Sequence, residues 1–112
     1  MPLGNRRNYM LQFKSKGFLR VHYNGRKPII SYLYENGSLY FATGRLSRKM
    51  KHFTTVGKDV ELSLGFFVKE KMSAHIEIMP DEEVFFDYLK KAAGLPPFIN
   101  FKKHQVVKII IK

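Results

Sequence analysis

Two Asn-Gly pairs constrain the fold of this chain more than any other feature. They stand at positions 24–25 and 36–37. Asn-Gly is a preferred pair for a two-residue hairpin turn, because both central positions of that turn need a positive φ. Segments rich in alternating, β-branched or aromatic residues flank the pairs, over 18–23, 29–34 and 38–43. We therefore predict a meander of three antiparallel strands.

Three more segments have the apolar pattern of strands, over 60–68, 73–79 and 105–111. A sheet of six short strands closes most simply into a small barrel, because closure leaves no unpaired edge. A chain of 112 residues is also the usual size of one domain. We therefore predict a mainly β chain with a single domain over 1–112, folded as a six-stranded antiparallel barrel.

Short helices are predicted at the corners of this barrel. The pattern indicates one over 5–16, and a second over 48–54 that begins after Ser47 as its N-cap. A third begins near Pro80, because proline suits a first helical turn and the acidic residues 81–83 favour the helix dipole. The apolar face expected for this third helix consists of Val84, Phe85, Tyr88 and Leu89.

The chain is strongly basic, with 20 Lys and Arg against 9 Asp and Glu, a formal net charge of +11. Such a charge attracts anions, including nucleic acid, phosphorylated cofactors and acidic lipid surfaces. Residues 1–34 hold seven cations and no acid, and residues 45–51 hold four cations. A solvated basic surface would explain much of this charge, but segment 45–51 falls where a strand gives way to a helix.

Several classes of function are excluded by what the sequence lacks. The absence of Cys removes disulfides, thiolate nucleophiles, iron–sulfur clusters and Cys-ligated zinc. The four His show no metal-binding spacing, so we expect no metal site. No GxSxG, GxGxxG or P-loop pattern occurs. We see neither a signal peptide nor an apolar run near the ~20 residues of a membrane span, and expect a cytoplasmic protein without a membrane partner.

The segment Thr43-Gly44-Arg45-Leu46-Ser47-Arg48-Lys49 carries the clearest chemical signal. It joins the end of a predicted strand to the start of a predicted helix. Free backbone N–H groups at a helix start, a hydroxyl and adjacent Arg and Lys side chains are together typical of phosphate binding. The alternative is a solvated run of charge with no ligand.

These residues resemble the pyridoxamine 5′-phosphate oxidase-like, FMN-binding split-barrel family. The resemblance rests on residues 40–43, on Ser47-Arg48-Lys49, and on the strand 60–64 after the short helix. It extends over roughly 17–79, with 106–111 as the closing strand. It implies a six-stranded antiparallel split β-barrel that forms a homodimer, with the cofactor at the subunit interface.

The resemblance also implies site residues and a cofactor. Thr43, Ser47, Arg48 and Lys49 would hold the flavin phosphate, and Ile30 and Ser31 would lie along the isoalloxazine edge. The cofactor would be FMN, with F420 or another flavin as the alternative; related members use F420 or haem, and haem is the least favoured because the chain has no Cys or well-placed His. This chain is shorter than the vitamin B6 oxidase of that family. The implied protein is therefore a small flavoprotein, an oxidoreductase or electron carrier, without implied oxidation of pyridoxamine phosphate.

Two alternatives to a flavoprotein stay open at this point. A cofactor-free basic barrel could bind nucleic acid through phosphate neutralisation and base stacking. The chain could also be a binding module that uses the barrel only as a scaffold. Visible absorbance of the purified protein separates a flavoprotein from both.

Overall fold

The computed structural model describes residues 13–64 and 71–112. Its elements, in chain order, are β1 (Lys16–His22), β2 (Ile29–Glu35), β3 (Ser38–Gly44), α1 (Arg48–Thr55), β4 (Asp59–Leu64), β5 (Met72–Ile78), α2 (Glu83–Ala92) and β6 (His104–Ile111). The strands form a closed antiparallel barrel in the order β1-β2-β3-β6-β5-β4, and β4 pairs with β1. The predicted mainly β, six-stranded barrel is confirmed.

Both Asn-Gly pairs form the expected tight turns. Asn24 and Gly25 have φ values of 47° and 73°, and Asn36 and Gly37 have values of 53° and 81°. All four residues therefore lie in the left-handed region, which Asn and Gly tolerate better than other residues. The turns set β1, β2 and β3 as a meander with consecutive antiparallel pairing.

The main core fills the barrel interior. Inward positions alternate along each strand, so Leu19 and Val21 of β1 meet Phe41 of β3 and Leu62 of β4, all at most 1% exposed. Each such side chain contributes about 1.5–3 kcal/mol through its burial. The barrel therefore needs no ligand in its interior to account for its packing.

A second apolar cluster lies outside the barrel, where α2 packs on β2 and β6. Phe86 and Leu89 of α2 are buried there with Leu33 and Val106. The predicted helix face was wrong in part, because Val84 is 85% exposed and Phe86 is buried instead. Val84, Phe85 and Phe86 are consecutive apolar residues, so the sequence allows a buried face that includes Val84 or one that includes Phe86. Packing against the barrel buries the face that includes Phe86.

Some predicted segments fall outside the described residues. Most of the helix predicted over 5–16 precedes residue 13, while residues 13–15 are not helical and Lys16 begins β1. The strand predicted over 60–68 is described as far as Leu64. In the two described stretches, neither helix has the length and apolar character needed to cross a membrane.

Candidate functional site

The tip of the β1–β2 hairpin packs against α1. The Tyr23 ring lies 4.9 Å from the His52 ring and 5.8 Å from the Phe53 ring, measured between centroids. Tyr23 and Arg26 also exchange two backbone hydrogen bonds, of 3.0 and 2.7 Å. These contacts fix Arg26 beside the first turn of the helix.

An open groove of about 550 Å³ lies between the hairpin and the start of α1, and we call it the basic groove. Its described lining consists of Tyr23, Arg26, Lys27, Pro28, Arg48 and Lys49. Four of these six residues are cations and none is acidic. The volume is within the range of small-molecule sites, and the charge favours an anionic ligand.

Hydrogen-bond donors are available at the start of α1. Ser47 caps the helix, because its Oγ accepts a 3.2 Å hydrogen bond from the backbone N–H of Met50. The same Oγ lies 3.2 Å from Thr43 Oγ1. One hydrogen bond between two hydroxyls uses only one of their two hydrogens, so the other can still donate. The N–H groups of Arg48 and Lys49 have no acceptor within the helix, since they belong to its first turn.

Lys49 is a half-buried cation at this helix start. Burial lowers the pKa of its ammonium group below the ordinary value, because the charged form loses hydration. In the described part of the chain, the carboxylates that form ion pairs are Asp81, with Arg45, and Asp59, with His75 and Lys112. A bound phosphate would compensate the Lys49 charge. The donors present therefore fit a phosphate monoester.

Arg45 belongs to the same sequence segment but points elsewhere. Its guanidinium donates to Asp81 Oδ1 at 3.0 Å and to Gln105 Oε1 at 2.7 Å. It also donates to the backbone carbonyls of Phe101 and Lys102, at 2.9 and 3.1 Å. Arg45 therefore ties the end of β3 to the segment that leads into β6, and its donors are used within the fold.

The structure brings together only part of the predicted site. Arg48 and Lys49 line the basic groove, whereas Thr43 and Ser47 bond to each other at the base of the same helix. Ile30 points into the barrel core and is 6% exposed. Ser31 is half-buried and pairs with Phe18 of β1. Neither Ile30 nor Ser31 is among the described lining residues of the groove. Pro28, just before β2, is one of them.

Sequence reasoning missed the hairpin's contribution to the site. Arg26 and Lys27 line the basic groove beside Arg48 and Lys49, although more than twenty positions separate the two pairs in the sequence. The available signal was the pair of cations directly after the first Asn-Gly turn. A turn of that type ends a hairpin at the barrel rim, where loop residues gather.

A buried polar contact lies on the outer side of the same hairpin. His22 Nε2 is 2.7 Å from Ser63 Oγ, and Ser63 is fully buried. The pKa of His22 is lowered, first by burial and then by the charge of Lys71, against an opposing effect of Glu61. The neutral imidazole is therefore favoured at this position.

No family model matches the chain, and no curated protein matches its sequence. Solved structures do match its fold. A candidate pyridoxamine 5′-phosphate oxidase from Listeria innocua has a TM-score of 0.65 and 14% identity, covering 98% of this chain and 94% of that one. A FAD-binding protein from Mesorhizobium loti has a TM-score of 0.63 and 14% identity, covering 96% of this chain and 88% of that one. An F420 reductase has a TM-score of 0.61 and 14% identity, covering 94% of this chain and 92% of that one. The chain therefore has the split-barrel fold of the proteins that its sequence resembles.

Proposed function

We propose that the protein is a flavoprotein that binds FMN by its phosphate in the basic groove and acts as an oxidoreductase or electron carrier. One observation carries this proposal: Arg26 and Lys27 of the hairpin meet Arg48 and Lys49 of α1 around a single groove, and no acidic residue is among its described lining. The FAD-binding protein and the F420 reductase of the same fold support a flavin-type cofactor.

Each phosphate ligand has a distinct role in this proposal. Arg48 binds two phosphate oxygens through its guanidinium, and Lys49 provides a compact positive charge whose burial cost the anion offsets. Thr43 and Ser47 are not among the described lining residues, and in this proposal they hold the start of α1 in place, because Ser47 caps the helix and bonds to Thr43. When bound, the flavin supplies hydride or electron transfer, and the protein supplies position and electrostatics.

The flavin ring is proposed to lie along the outer face of β2, beside Ser31 and the backbone of Ile30, where a second copy of the chain covers it. Phe18 and Ile29 support this arrangement. They stand on the outer face of β1 and β2 and are 61% and 42% exposed. Phe18 pairs with Ser31 and Ile29 with Arg20, so both apolar side chains lie on the face that the second copy would cover.

The test is titration of the wild type, Arg48→Ala and Lys49→Ala with FMN and, in parallel, with riboflavin, which lacks the phosphate. Each charge-assisted hydrogen bond is worth about 1.5–3 kcal/mol. We therefore expect each variant to bind FMN about ten- to a hundredfold more weakly, with little change for riboflavin.

Lys91→Ala is the matched control, because Lys91 is exposed on α2, away from the groove. It should bind both flavins as the wild type does. Equal losses for FMN and riboflavin in the Arg48 and Lys49 variants would show that this groove is not the phosphate site. No flavin binding by the wild type would refute the proposed function.

A further inference from the structure

The basic groove is one of three grooves that meet at the tip of the β1–β2 hairpin. A second, of about 260 Å³, lies beside α1 and includes Lys51, and we call it the helix groove. A third, of about 360 Å³, lies on the side of β4 and includes Glu61 and Lys71, and we call it the outer groove. Tyr23 and Arg26 line all three. The three grooves therefore form one continuous path around the hairpin tip, which we call the basic path.

Positive charge dominates the basic path. Among its described lining residues, Glu61 is the one with a carboxylate. Five of the nine acids of the chain fall within residues 77–87, and none of these five is in that lining. The cations in the lining are Arg26, Lys27, Arg48, Lys49, Lys51 and Lys71.

This charge exceeds what a flavin phosphate needs. A phosphate monoester carries at most two negative charges near neutral pH, which Arg48 and Lys49 balance. Lys51 and Lys71 line the other two grooves. Arg48 and Lys51 are also three positions apart on α1, so their side chains lie on the same face and repel each other. A ligand that balances the whole path must therefore carry several negative charges, spread over three grooves.

A single strand of nucleic acid has this distribution of charge, because each nucleotide adds one phosphate. The path turns around the hairpin tip, which requires a backbone that bends over a few nucleotides, whereas a duplex is stiff over such a length. We propose that the basic path binds the phosphate backbone of a single-stranded nucleic acid. This function goes beyond flavin binding and does not rest on it.

The aromatic side chains of the path indicate how the strand is recognised. The rings of Tyr23 and His52 pack on each other with centroids 4.9 Å apart, and Tyr23 is only 8% exposed. Little of the Tyr23 ring is left for stacking on a base. Recognition therefore relies on phosphates, which makes binding tolerant of base sequence and sensitive to salt.

The experiment measures the affinity for a fluorescent oligothymidylate of about 15 nucleotides by anisotropy, over a series of salt concentrations. For single strands, the logarithm of affinity falls with the logarithm of salt concentration by about 0.7 for each phosphate contact. Contacts from all six cations predict a slope of about −4, or a fall of about 300-fold between about 50 and 200 mM salt. The double variant Lys51→Ala, Lys71→Ala should have a slope of about −3 and a fall of about 50-fold.

The matched control is the double variant Lys91→Ala, Lys103→Ala, which loses the same charge at exposed positions outside the described linings. It should keep the wild-type slope. An unchanged slope for Lys51→Ala, Lys71→Ala would show that the strand binds elsewhere and would overturn the inference. Absence of binding by the wild type at about 50 mM salt would refute it too, and would leave the proposed flavoprotein unaffected.

FMN gives a second test, because the flavin phosphate and the strand share Arg48 and Lys49. Excess FMN should weaken oligothymidylate binding and make its salt slope less steep. If FMN binds without weakening the strand, the strand does not occupy the basic groove and the inference fails. If no flavin binds, the proposed function fails, and the salt slopes still decide this inference.

A polyglutamate peptide of the same length is the probe for an acidic protein partner. It should bind more weakly than the oligothymidylate at every salt concentration. Equally tight binding, with the same loss in Lys51→Ala, Lys71→Ala, would assign the basic path to acidic proteins and overturn the inference.

Discussion

Arg45 lies in the same sequence segment as Arg48 and Lys49 of the basic groove, but its surroundings differ from those of the groove cations. Arg45 has two side-chain acceptors and two backbone carbonyls, all within 3.1 Å. Arg26, Lys27, Arg48 and Lys49 instead share a groove whose described lining has no acid. Arg45 uses its donors within the fold, where they stabilise the protein, whereas the groove cations have no acidic neighbour in the described lining, which is the reason for proposing them as anion ligands.

The largest expected effect is the loss of the Arg45 contacts. Arg45→Met leaves Gln105 Oε1 without its donor in a largely buried position. Hydrogen bonds that involve a charged group contribute about 1.5–3 kcal/mol, and partial exposure of the pair with Asp81 reduces its share. We expect a loss of about 2–3 kcal/mol in the free energy of unfolding, measured by urea denaturation, with FMN affinity unchanged.

Arg26→Met is the matched comparison, because Arg26 is an exposed arginine of the groove. Its loss should change the free energy of unfolding by no more than about 0.5 kcal/mol. An equal loss in the free energy of unfolding for Arg26→Met and Arg45→Met would contradict the distinction between the two arginines. A loss of FMN binding by Arg45→Met with intact stability would contradict it as well.

A smaller effect of opposite sign is expected at Lys49. Lys49→Met keeps the length of the side chain and removes a half-buried charge, so the apoprotein should be as stable as the wild type or gain up to about 0.5 kcal/mol. FMN affinity should fall in the same variant. A variant that loses both stability and affinity would show that Lys49 supports the fold.

The difference in stability between Lys49→Met and the wild type should depend on pH, because the pKa of Lys49 is lowered. In alkaline solution below the ordinary value of 10.5, the unfolded chain binds more protons than the folded one at this position, so the free energy of unfolding rises with pH. The stability advantage of Lys49→Met should therefore shrink as the pH approaches 10.5. An advantage that grows with pH would contradict the assignment.

The smallest effect concerns His22, whose pKa lies below its ordinary value of 6.5. Near and just below pH 6.5, the unfolded chain binds more protons there than the folded protein, so this residue makes stability fall as the pH is lowered. Lys71→Gln removes a nearby positive charge and should raise the His22 pKa, measured by NMR titration of the imidazole. An unchanged titration would show that the charge of Lys71 does not lower this pKa.

Local signals predicted much of this structure. The Asn-Gly pairs needed only their own backbone preferences to set β1–β3, and Ser47 needed only the next three residues to cap α1. The buried face of α2 could not be predicted from local signals. Val84, Phe85 and Phe86 are all strongly apolar, and only contact with Leu33 and Val106 distinguishes them.

The candidate site could be predicted only in part, because some of its residues come together through long-range contacts. Ser47, Arg48 and Lys49 are adjacent in the chain, so their joint position at a helix start was visible in the sequence. The approach of Arg26 depends on Tyr23 packing against His52, a contact between distant segments. The two cations after the first Asn-Gly turn are visible in the sequence, but the long-range contact that brings them to α1 has no local pattern, and they were therefore missed.

The position of β6 between β3 and β5 has a consequence for synthesis of the protein. The barrel cannot close until residues 104–111 have left the ribosome, so β3 and β5 each keep an open edge until then. Open edges invite pairing with other chains, so we expect the incomplete barrel to be more prone to aggregation than the closed one. The hairpin and α1 lie within residues 16–55, but Met50 and Phe53 of α1 are buried in the barrel core, so we expect the groove to take its final shape only when the barrel closes.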